Sequence, residues 1–356
     1  MLFGKPKSQL GVDIGSSNIK VVQLRVNNDQ FVLETYGLVN FSYEVANKKE
    51  NTSSVKETAS LLKDLLLKAG TTTNKIVASL PNNSVFTSVI EMPKLPQSEL
   101  KIAVEFEAKK YVPLPLAEVA LSWSVIDEKR PKIDKNTNLE SFKTAGDSRT
   151  KVLLTAVPTA VIDNYLKVFK LAGLEAEVLE IEALALIRSL VRDDLENNLL
   201  IDIGAKSSSI NLVDSGYLRL SKNLNVGGDT VTANIAQSLS VNFARAEQFK
   251  KDFGLSHSAS SQQIPQIMRP ILDIIKNEAS QLINLFESRG QRIAKIILTG
   301  GGCKLLSLNE YLSTLGKPVI TGNPWTNVSY PSNLKPVVEQ LGMNLAVATG
   351  LAMRHS

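Results

Sequence analysis

The sequence predicts an α/β chain of two related domains, and three short stretches carry that prediction. "LGVDIGSSNIKVVQL" (10–24) is an apolar strand-like run, a D-x-G turn with small polar residues, and a second such run. "LLIDIGAKSSSINLV" (199–213) repeats that order in the second half of the chain, which reads as a weak internal duplication. "IILTGGGCKL" (296–305) is a third buried run that ends in consecutive glycines. Composition agrees: 356 residues, 43% hydrophobic and 21% charged, are enough for two cores.

Taken in order, residues 9–26 read as strand, turn and strand, and "FVLETYGLVNF" (31–41) adds a third strand to a meander. "SSVKETASLLKDLLLKAG" (53–70) has helical apolar spacing and stops at Gly70; "KIVASL" (75–80) is a short buried strand. "FTSVIEMPKLP" is a strand ended by prolines, and "SELKIAVEFEAKKYV" (98–112) is a helix capped by Ser98 and stopped before Pro113. "EVALSWSVIDE" (118–128) is a strand, followed by a polar excursion over 129–150. "KVLLTAVP" (151–158) returns to a buried strand, "TAVIDNYLKVFKLAG" (159–173) is a helix ended by Gly173, and 182–193 is another. In the second half, 230–254 is helical with a break near Ser240, 265–290 is a long helix with Pro270 as a candidate kink, and 343–354 is a small-residue helix. The expected layout is a first domain over 1–195 and a second over 196–356. The first has a core of 1–83 and 151–195 with an α+β insertion at 84–150. The second has a core of 196–229 and 291–340 with a subdomain at 230–290, and its final helix packs back on the first domain.

Composition removes several functions. The 40 Lys and Arg and 35 Asp and Glu are interspersed, and a net charge of +5 is too mild to argue for nucleic acid. Cys303 is the sole cysteine, which rules out a disulfide framework and a cysteine zinc site. His257 and His355 are the only histidines, so histidine-based metal sites and Ser-His-Asp catalysis have almost no material. The N-terminal stretch lacks a signal-peptide run, and no stretch approaches about 20 uninterrupted apolar residues. The expectation is a cytoplasmic protein that meets the membrane only through a partner.

The three turns suggest chemistry. A buried strand that ends in D-x-G turns its backbone N–H groups toward an anion; glycine permits close approach, and Ser or Asn side chains add donors. Asp13 and Asp202 repel phosphate but can hold Mg²⁺ through water, and Mg²⁺ bridges phosphate oxygens. Two such turns facing each other, with Gly300, Gly301 and Gly302 at a third strand end, would make one nucleotide cleft between two domains.

These motifs resemble the actin-like ATPase superfamily, whose ribonuclease H-like two-domain fold is shared by actin, DnaK-type chaperones, sugar kinases and the division protein FtsA. Within it, the whole chain resembles the PilM family of type IV pilus assembly proteins. "GVDIGSSNIK" (11–20) is similar to the first phosphate motif, with Gly15, Ser16, Ser17 and Asn18 in the turn. "IDIGA" (201–205) is similar to the second, with Gly204 and Ser207. "LTGGG" (298–302) is similar to the adenosine motif, and "NVGGDTVTANIA" (225–236), with Gly227 and Gly228, to the second-domain glycine turn. "ARAEQFK" (244–250) resembles the family's A-E-x-x-K helix, which implies that Glu247 and Lys250 lie beside ribose and adenine. Residues 92–126 resemble the insertion that PilM and FtsA share, which kinases and chaperones lack at this position.

The resemblance implies ATP and Mg²⁺ as ligands, with Asp13 and Asp202 organising the metal. It places Glu182 where relatives carry the acid or amide that orients attacking water; Glu180 competes for that role, and a plain helix N-terminal glutamate is the alternative. Lys20 is either near the phosphates or a solvated strand lysine. The second turn departs from the family, with Ala205-Lys206-Ser207-Ser208-Ser209 where threonine is usual; its serines can supply the same donors. Lys206 reads as solvated, Cys303 as a buried filler, and Trp123 and Trp325 as packing residues. The implied function is a cytoplasmic ATP-binding adaptor, peripheral to the inner membrane face, that binds the N-terminal cytoplasmic peptide of PilN. It is compatible with a homo-oligomer, and slow or absent ATP hydrolysis is expected. The alternatives are an FtsA-like division protein, disfavoured because the sequence ends in "LAVATGLAMRHS" without a basic amphipathic helix, a small-molecule kinase, for which no aspartate base stands out, and a nucleotide-independent structural protein.

Overall fold

The computed structural model describes residues 7–27, 30–41, 52–126, 149–256 and 263–354. In chain order, β1 (Lys7–Ile14), β2 (Asn18–Asn27), β3 (Gln30–Asn40), α1 (Thr52–Ala69) and β4 (Lys75–Leu80) come first. Next are β5 (Phe86–Pro93), α2 (Gln97–Ala108), β6 (Val119–Ile126), β7 (Arg149–Pro158), α3 (Thr159–Ala172), β8 (Glu175–Ile181) and α4 (Glu182–Leu190). The second half has β9 (Asn198–Ile203), β10 (Ser208–Asp214), β11 (Tyr217–Leu224), α5 (Gly228–Leu239), α6 (Phe243–Phe253) and α7 (Gln263–Glu287). It ends with β12 (Lys295–Thr299), α8 (Leu308–Ser313), β13 (Val319–Thr321), β14 (Val328–Ser329) and α9 (Lys335–Ala352).

Two sheets share one plan. The first runs β14-β3-β2-β1-β4-β8 and the second β11-β10-β9-β12-β13. In each, the first strand is central, with two antiparallel meander strands on one side and two parallel strands on the other. This is the actin-like, ribonuclease H-like arrangement. The strand alternation then sorts the layers. Leu10 and Val12 of β1 face Leu62 and Leu66 of α1 and Phe169 of α3. On the opposite face, Val22 and Leu24 of β2 meet Leu345, Ala348 and Ala352 of α9. In the second sheet, Leu199 and Ile201 pack with α5 and α7, whereas Leu200 and Ile297 join Ala185, Leu186, Ala346 and Leu351 of α4 and α9. The pair α4 and α9 is therefore a layer shared by both sheets.

Small residues make that layer possible. A Cβ at Gly350 would sit 2.5 Å from the Ala185 carbonyl carbon, and one at Gly11 would sit 2.7 Å from the Ala352 nitrogen. Helix α9 thus packs backbone to backbone against α4 on one side and β1 on the other.

A third, antiparallel sheet of order β5-β7-β6 carries α2 on one face, with Ile90, Met92, Val152 and Leu154 against Leu100, Val104 and Ala108. The helix over the second half breaks at Ser240, which takes a left-handed conformation (φ 52°) between α5 and α6, while α7 continues through Pro270. Several expectations are corrected. Ser98 does not cap α2: Pro96, whose fixed φ suits a helix entry, stands at the cap and makes no side-chain capping bond. That helix ends at Ala108 and not at Val112. Helix α9 begins at Lys335 with a proline in its first turn, well before residue 343. Strands β8 and β11 were not anticipated, because β8 carries Glu175, Glu177 and Glu180 on a sheet edge and β11 alternates irregularly. Of the polar excursion at 129–150, residues 127–148 lie outside the described residues, as do His257 and His355; Arg149 and Thr150 begin β7.

Candidate functional site

The two D-x-G turns close in the same way. The Gly15 N–H donates to the Asn18 carbonyl at 3.0 Å, and the Gly204 N–H donates to the Ser207 carbonyl at 3.0 Å. Asp13 ends β1 with 2% exposure. Its Oδ2 accepts from the Lys20 ammonium at 2.8 Å and its Oδ1 from the Ser79 hydroxyl at 2.8 Å. Lys20 stands directly opposite Asp13 in the β1–β2 register, so the hairpin itself delivers the pair.

Asp202, at the corresponding position of β9, and Glu182, at the first position of α4, share the electrostatic environment of that pair. Burial pushes the Glu182 carboxyl up to about 8, helped by the charges of Asp13 and Asp202 and opposed by Lys20 and the Asn82 N–H. Burial also raises Asp202 to about 6, against the attraction of Lys20. Desolvation alone would lower the Lys20 pKa, but the charge and hydrogen bond of Asp13, with Glu182 and Asp202 beyond, raise it. One ammonium therefore stands among three carboxylates, and of Asp202 and Glu182 the latter is pushed up the further.

Glu180 has a different task. It is 6% exposed, accepts two bonds from Arg188 at 2.7 and 3.0 Å, and pairs with Arg354 at the end of α9. Arg188 also donates to the Gly350 carbonyl at 2.6 Å. Glu180 thus ties β8, α4 and α9 together, which removes it as a competitor of Glu182.

The glycine turns surround the same group. Gly300 has φ +86°, and a Cβ there would overlap Asp202 Oδ1 and lie 2.5 Å from the Ile203 carbonyl oxygen. A Cβ at Gly302 would lie 2.9 Å from the Ile203 Cβ, and one at Gly301 3.4 Å from Asn344 Nδ2. A Cβ at Gly227 would lie 2.7 Å from the Gly204 carbonyl oxygen. The N–H groups of Gly228 and Asp229 donate to the carbonyls of Gly204 and Ala205 at 2.9 and 2.8 Å. These N–H groups at the start of α5 hold the second turn and are not offered to an anion.

Lys250 on α6 donates to the Gly228 carbonyl at 3.1 Å and to Thr232 Oγ1 at 2.8 Å, and pairs with Glu247 Oε2 at 2.6 Å. Burial opposes ionisation of Glu247, but bonds from Lys250 and Thr232 hold its carboxyl below the usual range. Glu247 and Lys250 are thereby fixed to the α5 glycine turn, one step from Gly204. Of the three serines in the second turn, Ser208 donates to the Val226 carbonyl at 2.7 Å and Ser209 accepts from Asn211 Nδ2 at 3.1 Å; both belong to β10, leaving Ser207 at the turn. Ser16 is exposed, with Ser17 and Asn18 half-buried beside it, and Lys206 is exposed. Cys303 is buried and donates to the Thr299 carbonyl at 2.7 Å, and the Trp325 indole donates to the Val338 carbonyl at 2.8 Å. Ser79 and Asn82 were missed by sequence reasoning; their one signal is that "ASLPNN" lies at the end of the strand beside β1.

Comparison with known proteins sets this geometry in a family. The family described as "Type IV pilus assembly protein PilM" matches residues 11–356. The chain belongs to the PilM family. A chain of the solved PilM-PilN type IV pilus biogenesis complex is 27% identical, with a TM-score of 0.80 covering 97% of this chain and 98% of that one. Cell division protein FtsA of Bacillus subtilis is 25% identical over 309 residues, 81% of this chain and 68% of that protein. MreB5 of Spiroplasma citri, solved bound to AMPPNP, is 12% identical with a TM-score of 0.53 over 98% of this chain and 95% of that one, a likeness of fold. Among the described residues of this PilM-family chain, no helix is long and apolar enough to cross a membrane.

Proposed function

We propose that this PilM-family protein is a nucleotide-gated adaptor of type IV pilus assembly. It binds ATP with Mg²⁺ in the cleft between the two sheets and, in that state, holds the N-terminal cytoplasmic segment of a PilN-type membrane protein. The observation that carries the nucleotide reading is the paired, identically closed turns, whose Asp13 and Asp202 share one environment with Lys20, and Gly300, which has no room for a side chain beside Asp202. The similarity to a chain of the PilM-PilN complex supports the partner.

The donor set fits Mg²⁺ bound through water. Among the described residues, no group of three or more His, Cys, Asp or Glu side chains is placed to hold a metal. Mg²⁺ keeps several waters and takes one or two carboxylates plus phosphate oxygens, which two aspartates satisfy. Asp13 is already fixed by Lys20 and Ser79, so it offers the metal an oriented carboxylate. When bound, Mg²⁺, held through water by Asp13 and Asp202, would supply positive charge against that of the phosphates. Lys20 would add a fixed positive charge, while the turns at 15–18 and 204–207 shape the phosphate pocket. Glu247, Lys250 and Gly300–Gly302 would line the nucleoside end. Glu182, at the first position of α4, would orient a water at the phosphate end. Hydrolysis is slow or absent, and the protein sits at the inner membrane face through its partner.

Calorimetry with ATP, with and without Mg²⁺, tests this in the wild type and Asp202→Ala. A titration with a synthetic PilN N-terminal peptide completes the test. Micromolar, Mg²⁺-dependent binding that Asp202→Ala weakens, and that changes peptide affinity, is expected. Folded protein that binds peptide and no ATP would reduce the site to a relict cleft.

A further inference from the structure

The turn after β4 is tied to the second sheet by a side-chain hydrogen bond. Asn223 of β11 donates from Nδ2 to the Asn82 carbonyl at 2.8 Å, across 141 residues of sequence. Asn82 is 7% exposed, and its own N–H donates to Glu182 Oε2 at 3.4 Å. The same short turn, Asn82–Ser84, runs straight into β5, the first strand of the inserted sheet, and β5 packs against β11. In register, Asn223 lies opposite Ser209, and Ser209 lies opposite Asp202. One ladder therefore leads from the candidate metal carboxylate to the residue that grips the turn holding Glu182.

The grip is incomplete in an informative way. Asn82 Nδ2 and Asn223 Oδ1 are both buried without a hydrogen-bond partner. One is a donor and the other an acceptor, on the two residues that already share a bond. A buried polar group left unpaired is costly, so pairing these two amides would offset part of the cost of any relative shift of β11 and the Asn82 turn that brings them together.

We propose that Asn223 is a positioning residue. It couples the position of the second sheet to Glu182 and to the root of the inserted sheet, so that filling the cleft completes the Asn82–Asn223 amide pair and stiffens the 82–92 segment. The ligand-linked half rests on the nucleotide reading above; the grip itself does not.

Hydrogen exchange of the full chain reads both halves. In the wild type, Mg·ATP is expected to slow exchange at 82–92 by about fivefold, the local-opening equivalent of one hydrogen bond. In Asn223→Ala, ATP should still bind within about threefold of wild type, since Asn223 does not touch the cleft glycines, and the ATP-linked protection at 82–92 should vanish while α7 exchanges unchanged. Asn223→Leu, close in volume but with neither donor nor acceptor, should do the same and guards against a packing defect in the alanine variant. Retained ATP-dependent protection in either folded variant overturns the proposal. If wild type binds no ATP, the nucleotide reading falls separately. The grip is then judged on ligand-free protein, where both variants must speed exchange at 82–92 by about fivefold, and unchanged rates overturn it.

Discussion

Lys20→Met removes the only cation among Asp13, Asp202 and Glu182 while keeping most of the side chain's bulk. The ammonium sits 2.8 Å from Asp13, with side-chain exposures of 14% and 3% for the two partners, so the pair is largely shielded from solvent. Breaking a buried pair by removing one member costs about 3–5 kcal/mol, because the other charge is left uncompensated. Asp13 retains its Ser79 bond, which argues for the lower end, about 3 kcal/mol near pH 8. The loss must depend on pH. Both Asp202 and Glu182 have folded-state values raised above their ordinary ones, to about 6 and about 8. Stability held by their neutral forms is full below their unfolded values and is lost as pH rises through 6 and then 8. Without Lys20 both values climb further, so the gap between variant and wild type should widen steadily from pH 5 to about pH 9. Urea denaturation of both proteins at pH 5.5, 7 and 8.5, followed by circular dichroism, measures it. A gap that stays constant over that range, or a variant as stable as wild type at pH 8.5, would refute the charge arithmetic.

Other perturbations probe separate parts of the same frame. Glu182→Gln imitates the protonated acid, so its stability should match wild type only below about pH 4.5, pull ahead as pH rises from there to about 8, and keep a constant lead above that; pH-resolved urea titrations show whether the curves diverge over that window. Glu180→Gln leaves Arg188 and Arg354 facing an amide and should cost about 3 kcal/mol, in contrast with its neighbour two residues on; an equal effect of the two substitutions would undo the division of roles drawn here. Gly300→Ala forces a side chain into a backbone conformation (φ 86°, ψ 168°) that only glycine adopts readily, about 1–3 kcal/mol, and meets both Asp202 and the Ile203 backbone, so calorimetry should show weaker ATP binding together with a clear loss of stability. Gly350→Ala forces α4 and α9 apart and should destabilise by about 1–3 kcal/mol, read from the denaturation midpoint, with weaker ATP binding beside it because both helices contact the site.

The actin-like plan was legible because its signals are local. A D-x-G turn between two apolar runs needs no tertiary information, and its duplication implied a second sheet of the same order. The Asp13–Lys20 pair was equally available: with the turn closed between Gly15 and Asn18, hairpin arithmetic sets residue 13 opposite residue 20, and a buried aspartate there asks for a cation. Reading Lys20 as possibly solvated ignored that constraint. The fates of Glu180 and Glu182 were not available. Both are acids at the β8–α4 junction, and what separates them is the pair Arg188 and Arg354; Arg354 lies 174 residues away, two residues past the end of a helix whose start was misplaced. Helix α9 looked like a short apolar stretch because its glycines and alanines hide its role. Their smallness is the signal of a helix pressed on both sides, against α4 and against β1, in the layer that both sheets share. That layer gives the candidate site a physical reason to be where it is. Glu182 begins α4, Gly300 bonds through its N–H to the Met343 carbonyl of α9 at 3.3 Å, and Glu180 clamps the far end of α9. Any change in the distance between Asp13 and Asp202 must be taken up by the two helices that carry those contacts. A ligand bridging the two aspartates would therefore act on two helices that pack against both sheets.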